Sequence, residues 1–162
     1  VLKKRWAVWV FGALALAMAG MIFFFSAQNA DLSGAASARV TRWLLGIWKQ
    51  GFYGLKAREQ RTLVRQYMPL VRKAAHFSEF LLLGLFLRLL LERLRIKWKT
   101  AAAWGTGALC AVMDELHQRA VSGRTAMAGD VLIDGAGALA GVLLALLLIF
   151  LSARRRRRRT RA

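Results

Sequence analysis

The sequence predicts an all-α membrane protein with four transmembrane helices and external interfacial amphipathic helices between the first and the second. Three observations carry that expectation. Hydrophobic residues make up 57% of the 162 residues although the formal net charge is +18, a combination that soluble domains rarely show. The charge is gathered in blocks, and the uncharged runs between them approach the ~20 residues a helix needs to cross the ~30 Å hydrocarbon core. The polar residues that interrupt the apolar segments recur at i, i+3, i+4 and i+7, the spacing of one helix face. By length the chain is one domain, residues 1–153, followed by a basic tail over 154–162.

The first membrane helix is expected over residues 6–25, preceded by Lys3, Lys4 and Arg5 and ending at Ser26, Ala27 and Gln28. The apolar run exceeds a signal-peptide core, and no clean small-x-small cleavage site follows, so it reads as a retained helix. Residues 29–70 form the longest connection. Within it Val40, Trp43, Leu44, Ile47 and Trp48 lie on one helical stripe with Arg39, Arg42 and Lys49 mostly off it. An aromatic-rich face opposed to a basic one suits a helix lying at the membrane surface, and equally an amphipathic helix packed on the bundle. A second such piece is expected over 57–68, with Leu63, Val64, Tyr67 and Met68. Pro69 then reads as the start of the second membrane helix, over about 70–91, because its missing N–H is tolerated in a first turn.

A basic link over 92–99 leads to the third helix, about 100–118, whose Ala101, Ala102, Ala103, Gly105, Gly107 and Ala108 permit close helix contact. Cys110 within it is the only cysteine, set among apolar neighbours as a packing residue rather than a reactive thiol. The fourth helix is expected over about 130–152, with Gly137 and Gly141 as a GxxxG approach surface. The arginine-rich tail directly after it reads as an orientation signal and an anchor for anionic lipid, and no nucleic-acid partner is expected.

The positive-inside rule places both termini and the 93–99 link in the cytoplasm and the 29–70 connection outside. Four helix ends then share the outer face: Ser26 and Gln28; Arg72, His76 and Glu79; Asp114, Glu115, His117 and Gln118; and Asp130 with Asp134. The spacings agree, since 72, 76 and 79, then 114, 117 and 118, and then 130 and 134 each fall on one side of a helix. Ionisable groups in a membrane segment cost about 2.5–3.5 kcal/mol each at the helix centre, so several retained together mark a site.

The chain resembles the VanZ-like integral membrane proteins of bacteria. That family joins a Ser and a Gln after the first helix to R-K-x-A-H-F-x-E, D-E-x-H-Q, G-R and D-V-x-x-D segments. Here these are Ser26 and Gln28, RKAAHFSE over 72–79, DELHQ over 114–118, Gly123 with Arg124, and DVLID over 130–134. Ser122 stands where a proline commonly precedes Gly-Arg, and Phe80 where a tyrosine often follows the Glu. The resemblance implies a multi-pass protein of the bacterial cytoplasmic (inner) membrane with an envelope role, linked through the family's namesake to low-level teicoplanin, that is glycopeptide, resistance.

Two chemistries fit the outer cluster. In the first, Arg72, Arg124 and His76 receive an anionic lipid or cell-wall precursor headgroup, since arginine's fork gives phosphate two aligned hydrogen bonds. Ser26, Gln28, Glu115, Gln118, Asp130 and Asp134 then complete the ligand-binding edge. In the second, the cluster is a membrane-embedded enzyme acting on a lipid-linked substrate. His76 with Glu79 and His117 with Asp114 are its candidate catalytic pairs, because imidazole needs a carboxylate to fix its tautomer. No spacing singles out Ser26 or Ser78 as a nucleophile. A divalent metal on these acids and histidines is a variant of the enzyme reading. The pairs run H-x-x-E and D-x-x-H rather than E-x-x-H, and two arginines oppose a cation, so the sequence assigns no metal ligand and no cofactor. The bland alternative is a charge network in which Arg72 and Arg124 neutralise Asp114, Asp130 or Asp134 and tie helix ends together.

Overall fold

The computed structural model describes residues 2–123 and 128–159 and is all helical. Helix α1 spans Leu2–Ser26, α2 Ala30–Trp48, α3 Ala57–Glu92, α4 Lys99–Arg119 and α5 Ala128–Arg159, with a single 3-10 turn at Phe52–Gly54. Three of them are long and apolar enough to cross a membrane: Trp6–Ser26, Ala57–Glu92 and Ala128–Arg159. The third expected crossing, α4, forms over the expected residues but carries Lys99, Asp114, Glu115 and Arg119 in its 21 residues, which keeps it below that standard.

Helix α3 is the spine of the bundle, packing against α1, α2, α4 and α5. It also corrects the expected helix start at Pro69. The proline lies inside a 36-residue helix. Residues 57–68 and 70–91 are therefore one element, because the helical pattern on both sides of the proline is strong enough to bridge the one donor it removes. The carbonyl of Arg65 loses its i+4 partner there. The first half of α3 is held by Val64, Leu63 and Tyr67, which pack with Leu45 of α2 and Phe52 in a small cluster of their own. At ~1.5 Å per residue α3 is about 54 Å long, more than the ~30 Å that a hydrocarbon core requires.

Helix α2 begins at Asn29, whose side chain accepts from the Leu32 N–H at 3.0 Å, and Asp31 in the first turn suits the positive end of the helix dipole. It turns Thr41 and Leu45 inward. The stripe singled out in the sequence faces away from the bundle: Trp43 is 60% exposed and Trp48 82%. The buried face and the exposed aromatic face thus fall on different sides of one helix.

The inner core joins Ala15, Met18 and Ile22 of α1, Phe80 and Leu83 of α3, Ala111 of α4 and Ala138 of α5, with Cys110 packed against it. Between helices in lipid there is little hydrophobic driving force, so close backbone contact carries the association. The α3–α5 contact is the closest. A Cβ added at Gly84 would strike the Ala138 carbonyl oxygen, and one at Gly141 the Leu81 carbonyl oxygen. A Cβ at Gly137 would meet the Phe77 carbonyl oxygen at 2.5 Å. The GxxxG pair thus faces α3, and Gly107 of α4 meets the Ala138 side chain from the other side. Helix α5 continues through Arg159, so most of the arginine tail is helical rather than a detached segment. At the other end of α3, Glu92 gathers Arg88 at 2.8 Å and Lys99 at 3.7 Å, fastening the α3–α4 turn.

Candidate functional site

The site is built where the C-terminal ends of α1 and α4 meet the middle of α3 and the start of α5. Asp114 is fully buried. Its Oδ2 accepts from Ser26 Oγ at 2.9 Å and from Gln118 Nε2 at 2.7 Å, and Gln118 Nε2 also donates to Ser26 Oγ at 3.2 Å. The geometry follows from sequence in two steps: Asp114 and Gln118 lie one turn apart on α4, and Ser26 ends α1 at the same depth. Asp114 Oδ1 is buried with no hydrogen-bond partner among the described residues. The same holds for Oδ1 of Asp134, a residue 4% exposed one turn below Asp130 on α5. His76 of α3, Asp114 and Asp134 bring one ligand atom each to within 4.8 Å of one another.

Around this inner group stands a rim. Lys73 Nζ approaches Asp130 Oδ1 at 3.5 Å, joining α3 to α5. His76 Nδ1 lies 3.9 Å from Glu79 Oε2. Arg72 donates to Ser33 Oγ of α2 at 2.8 Å, and among the described residues no carboxylate pairs with it. Two cavities flank the Arg72–His76 face. One, about 220 Å³, is bounded by Arg72, Lys73, His76, Gln118, Asp130 and Asp134, with Met68, Pro69 and Ile133 as apolar wall. The other, about 240 Å³, lies towards α1 and α2 and includes Gln28, Ser33, Arg72, His76 and Glu79. Gly123, at φ 76°, makes the turn after α4 and borders the first cavity. Its left-handed backbone suits glycine, and an added Cβ would also meet Ala30 Cβ at 3.0 Å.

The pattern of a serine after the first helix, RKAAHFSE, DELHQ and DVLID folded onto one polar centre is accompanied by a family match: the model of the VanZ/LLP1 family matches residues 11–150. The chain belongs to the VanZ/LLP1 family. No curated protein and no solved structure matches it.

Within this VanZ/LLP1 chain the structure brings together Ser26, Arg72, His76, Glu79, Asp114, Gln118, Asp130 and Asp134, while Gln28 borders the second cavity only. Glu115 is buried but borders neither cavity. Arg124 lies outside the described residues. His117 stands apart from the expected pairing with Asp114. It is exposed and packs edge-on against Phe23, ring centres 6.2 Å apart. The physical reason is that the i+3 step carries the imidazole around the helix to the α1 flank, where Phe23 takes it up. Two partners escaped the sequence reading. Lys73 faces Asp130, a relation hinted at by its i−3 position from His76. Ser33 belongs to another helix and leaves no periodic signal.

Proposed function

We propose that the chain binds an anionic headgroup, of a lipid or a lipid-linked cell-wall precursor, in the cavity between α2, α3, Gln118 and the start of α5. The observation that carries this is Arg72: it borders both cavities and is oriented by the Ser33 hydroxyl instead of being neutralised by a carboxylate. A guanidinium so held keeps further N–H donors for phosphate or carboxylate. The bland charge network would instead spend Arg72 on Asp114, Asp130 or Asp134, and among the described residues Arg72 makes no such pair. The mixed wall of the 220 Å³ cavity, polar on one side and lined by Met68, Pro69 and Ile133 on the other, suits a headgroup with its first apolar atoms.

In this reading α4 is a fourth crossing, both termini are cytoplasmic and the site faces outward. Support comes from the basic blocks at 3–5, 93–99 and 154–159 on one side, and from α4's length of ~31 Å, enough to span. The exposed Val40, Trp43, Ile47 and Trp48 face of α2 then rests in the outer interface beside the cavity. A headgroup held there is withdrawn from soluble agents, which gives the family's link to glycopeptide resistance a physical route.

The test is binding of anionic vesicles containing phosphatidylglycerol to the purified full chain, against neutral phosphatidylcholine vesicles. Arg72→Ala is expected to weaken the anionic preference at least tenfold, with Lys73→Ala weakening it less. An undiminished preference in the Arg72→Ala/Lys73→Ala double variant overturns the reading.

A further inference from the structure

The geometry points to a divalent-cation site held by His76, Asp114 and Asp134, one ligand each from α3, α4 and α5. The three ligand atoms already lie within 4.8 Å of one another. Ligands ~2.0–2.2 Å from a tetrahedral ion stand about 3.4 Å apart, so side-chain adjustment of up to about 1.5 Å closes the set. The second observation is independent of that clustering. Asp114 Oδ1 and Asp134 Oδ1 are buried polar atoms with no hydrogen-bond partner among the described residues, on side chains 0% and 4% exposed. A buried carboxyl oxygen left without a donor is costly, and a cation removes that cost at both residues at once.

The surroundings are arranged as the outer shell of a metal site is. Ser26 and Gln118 fix Asp114 through Oδ2 and leave Oδ1 to a ligand, and Glu79 stands 3.9 Å from His76 Nδ1, beyond hydrogen-bond length but close enough to favour a cation electrostatically. Glu79 and Glu115 stand within electrostatic reach of Asp134. The cationic objection weakens in three dimensions, since Lys73 is already matched with Asp130 and the Arg72 guanidinium is turned towards Ser33 of α2. One imidazole and two carboxylates suit a first-row divalent ion such as zinc or manganese better than calcium, which takes oxygen ligands only. Three protein ligands leave coordination positions open towards the cavity that His76 and Asp134 border. The site does not depend on the headgroup reading, because the cation alone is its ligand.

The experiment is metal titration of the untagged full chain in detergent after chelator treatment, using zinc, manganese and calcium separately without lipid. Expected are one zinc per chain, weaker manganese, no calcium at equal concentration, and at least tenfold weaker zinc binding in each of His76→Ala, Asp114→Asn and Asp134→Asn. Glu59→Gln, at the far end of α3, should bind as the unaltered chain does. Asp114→Asn disturbs the Ser26–Gln118 network, so His76→Gln and Asp134→Asn, checked for retained helicity and elution volume, decide the matter if it fails to fold. Absence of zinc binding in the unaltered chain, or undiminished binding in folded His76→Gln and Asp134→Asn, overturns the inference. Vesicle binding by Arg72→Ala is scored separately, so either proposal can fail alone.

Discussion

Asp114 uses one carboxyl oxygen for two donors and the other for none among the described residues, and the chemistry of the site turns on that asymmetry. Hydrogen bonds to a charged group contribute about 1.5–3 kcal/mol each. Ser26→Ala and Gln118→Leu should each lower unfolding stability in detergent by that order, read from a thermal or dodecyl sulfate titration. The double variant should lose more than the sum, since it strips Oδ2 of both donors. Simple additivity would show that the two bonds are independent. At this scale the sequence is legible where partners share a helix: Asp114 and Gln118 are one turn apart and were found together, as were Asp130 and Asp134. It is silent where partners sit on different helices and a hydroxyl does the work, as for Ser33 with Arg72. His117 shows the limit of spacing, which says that two residues share a side of a helix and not which of them a third helix will claim.

At the scale of elements, small residues set how closely helices approach. Gly141→Val and Gly84→Leu should each cost about 3 kcal/mol or more, because the added atoms meet backbone of the facing helix, which cannot rotate away. Gly135→Ala and Gly105→Ala, with nothing within 4 Å of the added carbon, should be neutral or gain up to about 1 kcal/mol from helix propensity. Equal losses at all four positions would dissociate the effect from α3–α5 packing. Pro69→Ala should raise the thermal midpoint, since returning the N–H to the Arg65 carbonyl recovers up to about 3 kcal/mol. The glycine surface was legible because its spacing is regular and its partner had to be a helix. Continuity through Pro69 was not. Local rules put a proline at a helix start, and only the packing of Leu63, Val64 and Tyr67 against α2 and Phe52 decides that the helix begins twelve residues earlier.

For the molecule as a whole, the convergence of helix ends was expected from topology alone; Ser26 touches Asp114 across 88 positions where α1 and α4 end, while α3 contributes from its middle rather than its start. The number of crossings rests on α4. In a Cys110→Ala background, Ser122→Cys should react with a membrane-impermeant maleimide from outside, and Arg95→Cys only after permeabilisation. Labelling of both from one side would leave α4 uncrossed and the site's outward orientation with it. The Ser26–Asp114 contact also has a consequence in time. At about 5–20 residues per second, Ser26 is synthesised about 4–18 s before Asp114. A hydroxyl can wait at little cost, because it donates a hydrogen bond to a nearby backbone carbonyl or to water. A carboxyl group cannot wait so cheaply, and it is the one that arrives last, entering a bundle where its donor on α1 is already in place. Biogenesis of this chain therefore delivers Asp114 to a donor on α1 that is already in place, with Gln118 following four residues later, and truncation before residue 114 should leave an α1–α3 intermediate that turns over faster than the full chain in a pulse-chase experiment.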